Sequence, residues 1–356
     1  MSPHETARLQ LGWDIGGAHL KACLLEDGAV RDIAQWPCPL WQGMRHLDGA
    51  LALAHSRWSR AWDGGADHAA TMSGEMVDLF PDREHGVARI AGHLAHSLGP
   101  SLLLFDADGG WRAPREAAAR WRGIASANWC ATARVLAPRV GDALLVDIGS
   151  TTTDLIPLRA GRVAARGTSD AQRLVTGELV YQGVVRTPLC ALGPRVRWRR
   201  RRVNVMNEFF ASTADVYRLT GELEPEHDQA PTADGRGKDT QATCRRLARM
   251  LGCDEGDADE RDWRALAAWW KDVQLGEIQR QLARVCADAG LGAGAPIVGA
   301  GCGAFLAAQL AQRAGRPFLR YADLALPASA ARAALASWAD VCAPAVSVAL
   351  LASARG

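Results

Sequence analysis

The amino-acid sequence predicts an α/β protein made of two similar domains that face each other across a central cleft. Two observations carry that expectation. The stretch Asp147-Ile148-Gly149-Ser150-Thr151-Thr152-Thr153-Asp154 follows an apolar run, Ala143 to Val146, and precedes Leu155, Ile156 and Leu158. A buried strand, a tight polar turn and a returning strand make a hairpin. The same pattern stands near the N-terminus, where Asp14, Ile15, Gly16, Leu25, Gly28 and Val30 recur in register with Asp147, Ile148, Gly149, Leu158, Gly161 and Val163. Each copy reads as strand, glycine-containing turn, strand, second turn and third strand, an antiparallel meander that occurs twice. A duplicated unit implies two halves with both Asp-Ile-Gly turns lining the groove between them. The halves are residues 1–140 and 141–356, with the last helices able to pack back on the first.

The turns have a chemistry of their own. Each begins with a carboxylate and continues with glycine, which lets backbone N–H groups approach a ligand, and the second adds a run of hydroxyls. That set suits a phosphate group and its metal ion, although small polar residues between strands also make ordinary turns. The paired hairpins, with Lys21 beyond Asp14 on the returning strand, resemble the two phosphate loops of the actin, Hsp70 and sugar-kinase superfamily, a duplicated ribonuclease H-like fold. The resemblance implies that Asp14, Asp147 and Asp154 hold Mg²⁺ or its waters. It implies that Gly16, Gly17, Gly149, Ser150, Thr151 and Thr152 cradle phosphate and that Lys21 touches it.

Composition narrows the partners. A chain of 356 residues, 48% hydrophobic and 22% charged, is long enough for two domains and ordinary for a globular protein. A net charge of +2, from 41 basic and 39 acidic residues, supplies no general attraction to nucleic acid or to a membrane surface. Nine scattered cysteines without a Cys-x-x-Cys pair read as reduced thiols in a cytoplasmic protein. No apolar segment marks a signal peptide between Glu5 and Asp14. The apolar stretch Ala328 to Ala354, broken by Asp340 and Pro344, reads as a buried helix pair.

Between the motifs the chain reads in order. A proline-punctuated connection, Trp36 to Trp41, leads to a helix from Leu47 to Trp62 with Leu47, Leu51, Ala54 and Trp58 on one face. A strand from Ala69 runs through Ser73-Gly74-Glu75 into an apolar helix. That arrangement turns Glu75 toward the cleft or makes it a helix cap. His93 and His96 share a helix face, but no third metal ligand stands near them. A strand from Leu102 to Phe105 and a turn at Asp106 to Gly110 precede a helix that follows Ala125 to Trp129.

In the second half, Gly167 to Gly183 and the residues after it bring Glu178, Tyr181 and Arg186 past the cleft floor. The run Arg195 to Arg202 reads as one half-buried strand with arginines on one side. Its role is either an edge guarded by charge or an anion patch whose Arg199 and Arg200 hold a substrate tail. Asn207 to Gly221 reads as a helix with Glu208 and Asp215 on one face. A polar loop, Thr232 to Lys238, precedes helices at Leu247 to Leu251 and Trp263 to Cys286. Pro296 to Leu306 then gives strand, glycine loop and helix, with Gly299, Gly301 and Gly303 where the superfamily holds adenosine.

An ordered set of motifs narrows the resemblance. Ser73-Gly74-Glu75, the octapeptide at Asp147, Arg173-Leu174-Val175-Thr176-Gly177-Glu178, Ala214-Asp215-Val216-Tyr217-Arg218-Leu219-Thr220-Gly221 and Thr232-Ala233-Asp234-Gly235 occur in sequence. From Gly12 to about Leu306 the chain resembles the hydantoinase/oxoprolinase-related proteins linked to tetrahydromethanopterin-dependent one-carbon transfer. The resemblance implies a transferase of methanofuran- or methylofuran-type cofactor biosynthesis. The phenol oxygen of a γ-glutamyltyramine or tyrosine-type substrate would attack the methylene of an aminomethyl-furanmethyl diphosphate, and diphosphate would leave with help from Mg²⁺. A phenol, with its ordinary pKa of about 10, then calls for a general base or a strongly stabilised cationic carbon; Glu75, Glu178 and Asp215 are the unranked candidates for the base. The alternative is an ATP-dependent small-molecule kinase or an oxoprolinase/hydantoinase-like hydrolase on the same loops, with ATP as cofactor. A nucleotide-switched assembly protein would need a polymer surface that the sequence does not display. The expected partners are thus small-molecule diphosphate and phenolic substrates, without nucleic acid or membrane. Assembly as a homo-oligomer is left open.

Overall fold

The computed structural model of the protein describes residues 7–62, 65–328 and 330–355. The first half opens with the expected meander, β1 (Leu9–Ile15), β2 (His19–Glu26) and β3 (Ala29–Pro37). It continues through α1 (Arg45–Arg57), β4 (Ala66–Met72), α2 (Arg83–Leu98), β5 (Leu102–Phe105), β6 (Trp111–Arg112), α3 (Trp121–Ile124) and α4 (Asn128–Val140). Its sheet runs β3-β2-β1-β4-β5-β6, with β4 parallel to β1.

The second half repeats the plan with β7 (Ala143–Ile148), β8 (Thr153–Arg159) and β9 (Arg162–Val163). Next come α5 (Asp170–Thr176), β10 (Leu179–Val180), the hairpin β11 (Arg195–Trp198) and β12 (Arg201–Asn204), α6 (Thr213–Thr220), α7 (Thr240–Arg249) and α8 (Glu260–Asp288). Last are β13 (Ile297–Ala300), α9 (Ala304–Ala314), β14 (Phe318–Arg320), α10 (Tyr321–Ala325), α11 (Ala330–Val341) and α12 (Ala343–Ser353). The main sheet runs β10-β8-β7-β13-β14, with β9 also on β8 and with β13 parallel to β7. Meander, parallel strand and parallel strand in the same order make each half a ribonuclease H-like unit. The duplication extends to the turns that close the meanders: Asp27-Gly28 and Ala160-Gly161 both adopt left-handed backbone, as two-residue hairpins require.

The halves exchange their closing helices. The α4 helix ends the first half, yet it packs under β7, β8 and β9 of the second, whereas α12 ends the chain and packs on β1, β2 and β4 of the first. One apolar core therefore joins Cys23, Leu25 and Ala69 of one sheet to Leu145, Ile156 and Leu158 of the other through α4 and α12. A glycine makes the approach of α12 feasible, because a side chain on Gly12 would run into the Ala345 carbonyl and Ala349. Outer cores complete each half: Leu11, Trp13 and Ile15 with α1 and α2, and Leu144 and Val146 with α6, α8 and α9. Among the described residues no single helix is long and apolar enough to cross a membrane. The pair α11 and α12 bends by 108°, and α12 is buried along most of its length.

Four local expectations are corrected. The first helix stops at Arg57, and a short 3-10 turn, Ser59–Ala61, follows Trp58. No helix follows Glu75; residues 73–82 form turns, and α2 begins only at Arg83, capped by the Asp82 carboxylate. The arginine run is two strands, with Arg199 and Arg200 as the turn between them. Glu208 lies before α6, so it does not share a helix face with Asp215.

Candidate active site

The two Asp-Ile-Gly turns converge on one cavity of about 540 Å³ between the halves. Both are built alike: Gly16 donates its N–H to the His19 carbonyl at 3.0 Å, and Gly149 donates to the Thr152 carbonyl at 2.8 Å. The cavity is lined by Asp14, Gly16, Gly17, Lys21, Asp147, Gly149, Ser150, Thr151, Thr152 and Asp154, so all expected phosphate and metal residues meet there. Strand register sets their order. Asp14 faces Lys21 across β1 and β2, and at the equivalent place Asp147 faces Asp154 across β7 and β8. Two like charges directly opposite each other are unfavourable. Arg173 of α5 offsets them, with Nη2 2.6 Å from Asp154 Oδ1 and the guanidinium over the Trp129 ring.

Burial raises the Asp14 carboxyl to about 6 against the pull of Lys21. Burial and then Asp154 raise Asp147 to about 7. Asp154 is also raised by burial, with Arg173 opposing. Lys21 is disfavoured as a cation by burial, but Asp14 and its other neighbours outweigh that and hold it above the usual lysine value. Its ammonium donates to the Val341 carbonyl at 2.9 Å, at the break between α11 and α12. Asp14 Oδ1 is buried and has no hydrogen-bond partner, an arrangement that a cation would relieve. No group of three or more His, Cys, Asp or Glu side chains shaped to share an ion occurs among the described residues. The set suits Mg²⁺ all the same, since that ion is commonly held by one or two carboxylates, with waters and substrate phosphates completing its shell. Asp14 and Asp147 are the donors that fit; Asp154 is already engaged by Arg173.

Above this polar floor the wall changes character. Trp41, Met76 and Val77 from the first half and Leu179 and Tyr181 from the second line the same cavity, with Trp41, Met76 and Tyr181 exposed.

The three candidate bases have separate fates. Glu75 is buried behind Ser126, whose hydroxyl lies 2.8 Å from Glu75 Oε1 and 3.0 Å from Asp170 Oδ2. Arg83 bridges Glu75 at 2.7 Å and Asp170 at 3.1 Å. Ser126 and Asp170 reach the cavity, and Ser126 holds a left-handed backbone with φ of 48°. Glu178 accepts the Arg166 and Gly167 N–H groups and the Thr176 hydroxyl, which makes it a loop anchor outside the cavity lining. Asp215 caps its own helix at the Ser212 N–H and pairs with Arg218 and Arg246, also outside the lining.

Gly299, Gly301 and Gly303 do not line the cavity either. A side chain on Gly301 would meet the Ile148 carbonyl and Asp147, and one on Gly303 would meet Ile148 and Val184, so the glycine loop packs against the base of the second turn. Arg199 pairs with Asp262 and lies over Trp198 at the hairpin tip, and neither Arg199 nor Arg200 belongs to the lining. His93 pairs with Asp48. Sequence reasoning missed His19, Trp41, Ser126, Asn128 and Asp170 as cavity residues. Only Asp170 carried a local signal, its place after the helix-capping Ser169.

Comparison with known proteins gives the chain its relatives. Residues 67–339 match the hydantoinase/oxoprolinase family. The (4-{4-[2-(gamma-L-glutamylamino)ethyl]phenoxymethyl}furan-2-yl)methanamine synthase of Methanocaldococcus jannaschii is 32% identical over 246 residues, covering 68% of this chain and 72% of that one. The protein of the same name from Methanococcus vannielii is 36% identical over 111 residues, 31% of this chain and 50% of that one. Among solved structures, the ethanolamine utilization protein EutJ from Carboxydothermus hydrogenoformans aligns at a TM-score of 0.46 with 12% identity, over 99% of this chain and 91% of that one. The family match spans most of the sequence, the second phosphate turn included: the chain belongs to the hydantoinase/oxoprolinase family.

Proposed function

We propose that the protein is an enzyme of methanofuran-type cofactor biosynthesis that joins a furanmethyl diphosphate to a γ-glutamyltyramine or tyrosine-type phenol as an aryl ether. One observation carries the reading: a single cavity has a floor of two phosphate turns and a wall of Trp41, Met76, Val77, Leu179 and Tyr181. A diphosphate fits the first and a flat furan or phenol ring the second. The relatives named as furan-methanamine synthases support the same substrate class.

In the reaction the bond between the furan methylene and the diphosphate oxygen breaks, its electron pair leaves with diphosphate, and the phenol oxygen bonds to the methylene and loses its proton. Charge grows on the leaving group, so donors fixed beforehand around it lower the barrier. The N–H groups of Gly17, Ser150, Thr151 and Thr152, the hydroxyls of Ser150, Thr151 and Thr152, and Lys21 are such donors. Asp14 and Asp147 would hold Mg²⁺, which when bound neutralises phosphate charge. Ser126, hydrogen-bonded to Glu75 and Asp170, gives the phenol proton a route away from the cleft.

The kinase or hydrolase alternative needs a nucleotide site, and the glycine loop that would form it stands outside the lining of the cavity that holds the two phosphate turns. The test is turnover in nucleotide-free buffer containing Mg²⁺, furanmethyl diphosphate and the phenol. The expected result by mass spectrometry and phosphate assay is one ether per diphosphate released. Asp14→Ala and Asp147→Ala should each lower the rate by roughly two to four orders of magnitude while the fold persists. A strict requirement for ATP, with the furan alcohol accepted and its diphosphate ignored, overturns the reading.

A further inference from the structure

Three cations line the cavity, Lys21, Arg173 and Arg186, and two have protein partners. Lys21 donates to Val341 and faces Asp14; Arg173 is bound to Asp154 and to the Glu178 carbonyl. Among the described residues the Arg186 guanidinium has no carboxylate or carbonyl acceptor. It rests instead over the Trp41 ring, 5.0 Å from its centre. Burial depresses its pKa, as expected for a cation held without a counter-charge.

The backbone on either side of this pair ties it to both phosphate turns. Val184 donates to the Gly149 carbonyl at 3.1 Å, and Val185 and Arg186 donate to the Ser150 carbonyl at 3.1 and 2.8 Å. Gly183 packs so closely on Ser150 and Thr151 that no side chain fits there, which fixes where the Arg186 stem begins. Across the cleft, Trp41 belongs to a short 3-10 turn, Leu40–Gln42. That turn is tied to the first phosphate turn by Leu40 N–H to the Gly17 carbonyl at 3.0 Å and Cys38 N–H to the Ala18 carbonyl at 2.8 Å. An arginine on one turn and its aromatic rest on the other span the two halves.

We infer that Arg186 is the arginine ligand of the diphosphate group in this cleft, held by Trp41 in reach of both phosphate turns and filled by the anion that no protein side chain supplies. A guanidinium presents paired N–H donors to phosphate oxygens, and a face on an aromatic ring leaves those edge donors free. His19, buried beside Lys21 and Arg186, is driven down to about 3 by burial and then by those two cations, so it stays neutral and adds no competing charge. The inference rests on the proposed function in taking the anion to be a diphosphate. Its two sources, a leaving group on the substrate or the diphosphate of a nucleotide, share one chemistry.

The test is calorimetric titration of the full-length protein in Mg²⁺ with inorganic diphosphate and, separately, with ADP. Arg186→Ala should weaken inorganic diphosphate binding by about 10- to 100-fold, the span of a charged hydrogen bond. Arg186→Lys should fall between, and added guanidinium ion should restore part of the affinity of Arg186→Ala, which a merely structural role would not allow. Unchanged circular dichroism and melting temperature in both variants exclude misfolding as the cause. Affinity of Arg186→Ala within twofold of wild type, or no binding of inorganic diphosphate by the wild type, overturns the assignment. ADP bound more tightly than inorganic diphosphate, with both weakened by Arg186→Ala, upholds Arg186 as the ligand and overturns the synthase reading instead.

Discussion

His68 sits inside the first half, where Trp13 Nε1 donates to its Nδ1 at 3.2 Å and the Trp62 ring packs near it. Burial holds it neutral, drawing its pKa from 6.5 down to about 4. A folded-state value below the unfolded one gives stability that is present above pH 6.5 and lost as pH falls toward 4, on the order of 3 kcal/mol. Asp14 titrates with the opposite sign over part of that range, so a variant must isolate the histidine. In His68→Asn an amide oxygen can still accept from Trp13. Denaturant titrations from pH 7.5 to 4 should show a lower plateau and a flatter acid limb than wild type; equal slopes in the two proteins would refute the assignment. Buried pairs of this kind lie beyond sequence reading when the partners are far apart. Lys21 was legible as a cleft cation, but its carbonyl acceptor, Val341, is 320 positions away. Ser126 and Trp41 carried no motif, and only folding brings them beside the phosphate turns.

At the scale of elements, the two meanders were legible because apolar strand runs, glycine turns and a duplicated register all agreed. The arginine run was not. Its Arg-Val-Arg-Trp alternation continues into Arg199 and Arg200, whose φ values of 44° and 68° break it into a hairpin. Two-residue hairpins of this kind favour Asn-Gly, and a left-handed non-glycine residue costs roughly 1–2 kcal/mol. The segment 73–82 misled for a related reason, since its apolar residues Met76, Val77 and Leu79 look helical but line or flank an open cavity. Replacing the turn as Arg199→Asn with Arg200→Gly removes the exposed Arg199–Asp262 pair, worth little in water, and relieves the backbone. The melting temperature should hold or rise, and KM for the phenolic substrate should stay within twofold. A tenfold rise in KM at unchanged kcat would return these arginines to the substrate tail.

For the whole molecule, the exchange of α4 and α12 makes the halves mutually dependent. Residues 7–140 contain a sheet whose covering helix lies at the far end of the chain. Residues 141–355 contain a sheet whose covering helix, α4, is in the other piece. Each fragment alone would expose one apolar sheet face and one apolar helix, a loss that marginal stability does not tolerate. The cleft shares that dependence: the acceptor of Lys21 is at the end of α11, just before α12, and Pro344 of α12 lines the cavity. Strand-by-strand similarity of the halves thus conceals a division of labour, in which the second half supplies the support beneath the first phosphate turn. Expressed separately, 7–140 and 141–355 should lack cooperative thermal unfolding and bind no diphosphate. Expressed together, they should associate at the mass of one full chain and recover both properties, because the shared core forms only when α4 and α12 reach their sheets. Cooperative unfolding of 7–140 by itself would mean that α12 is an accessory to the first sheet, and the coupling between the C-terminal helices and the Lys21 side of the cleft would fall with it.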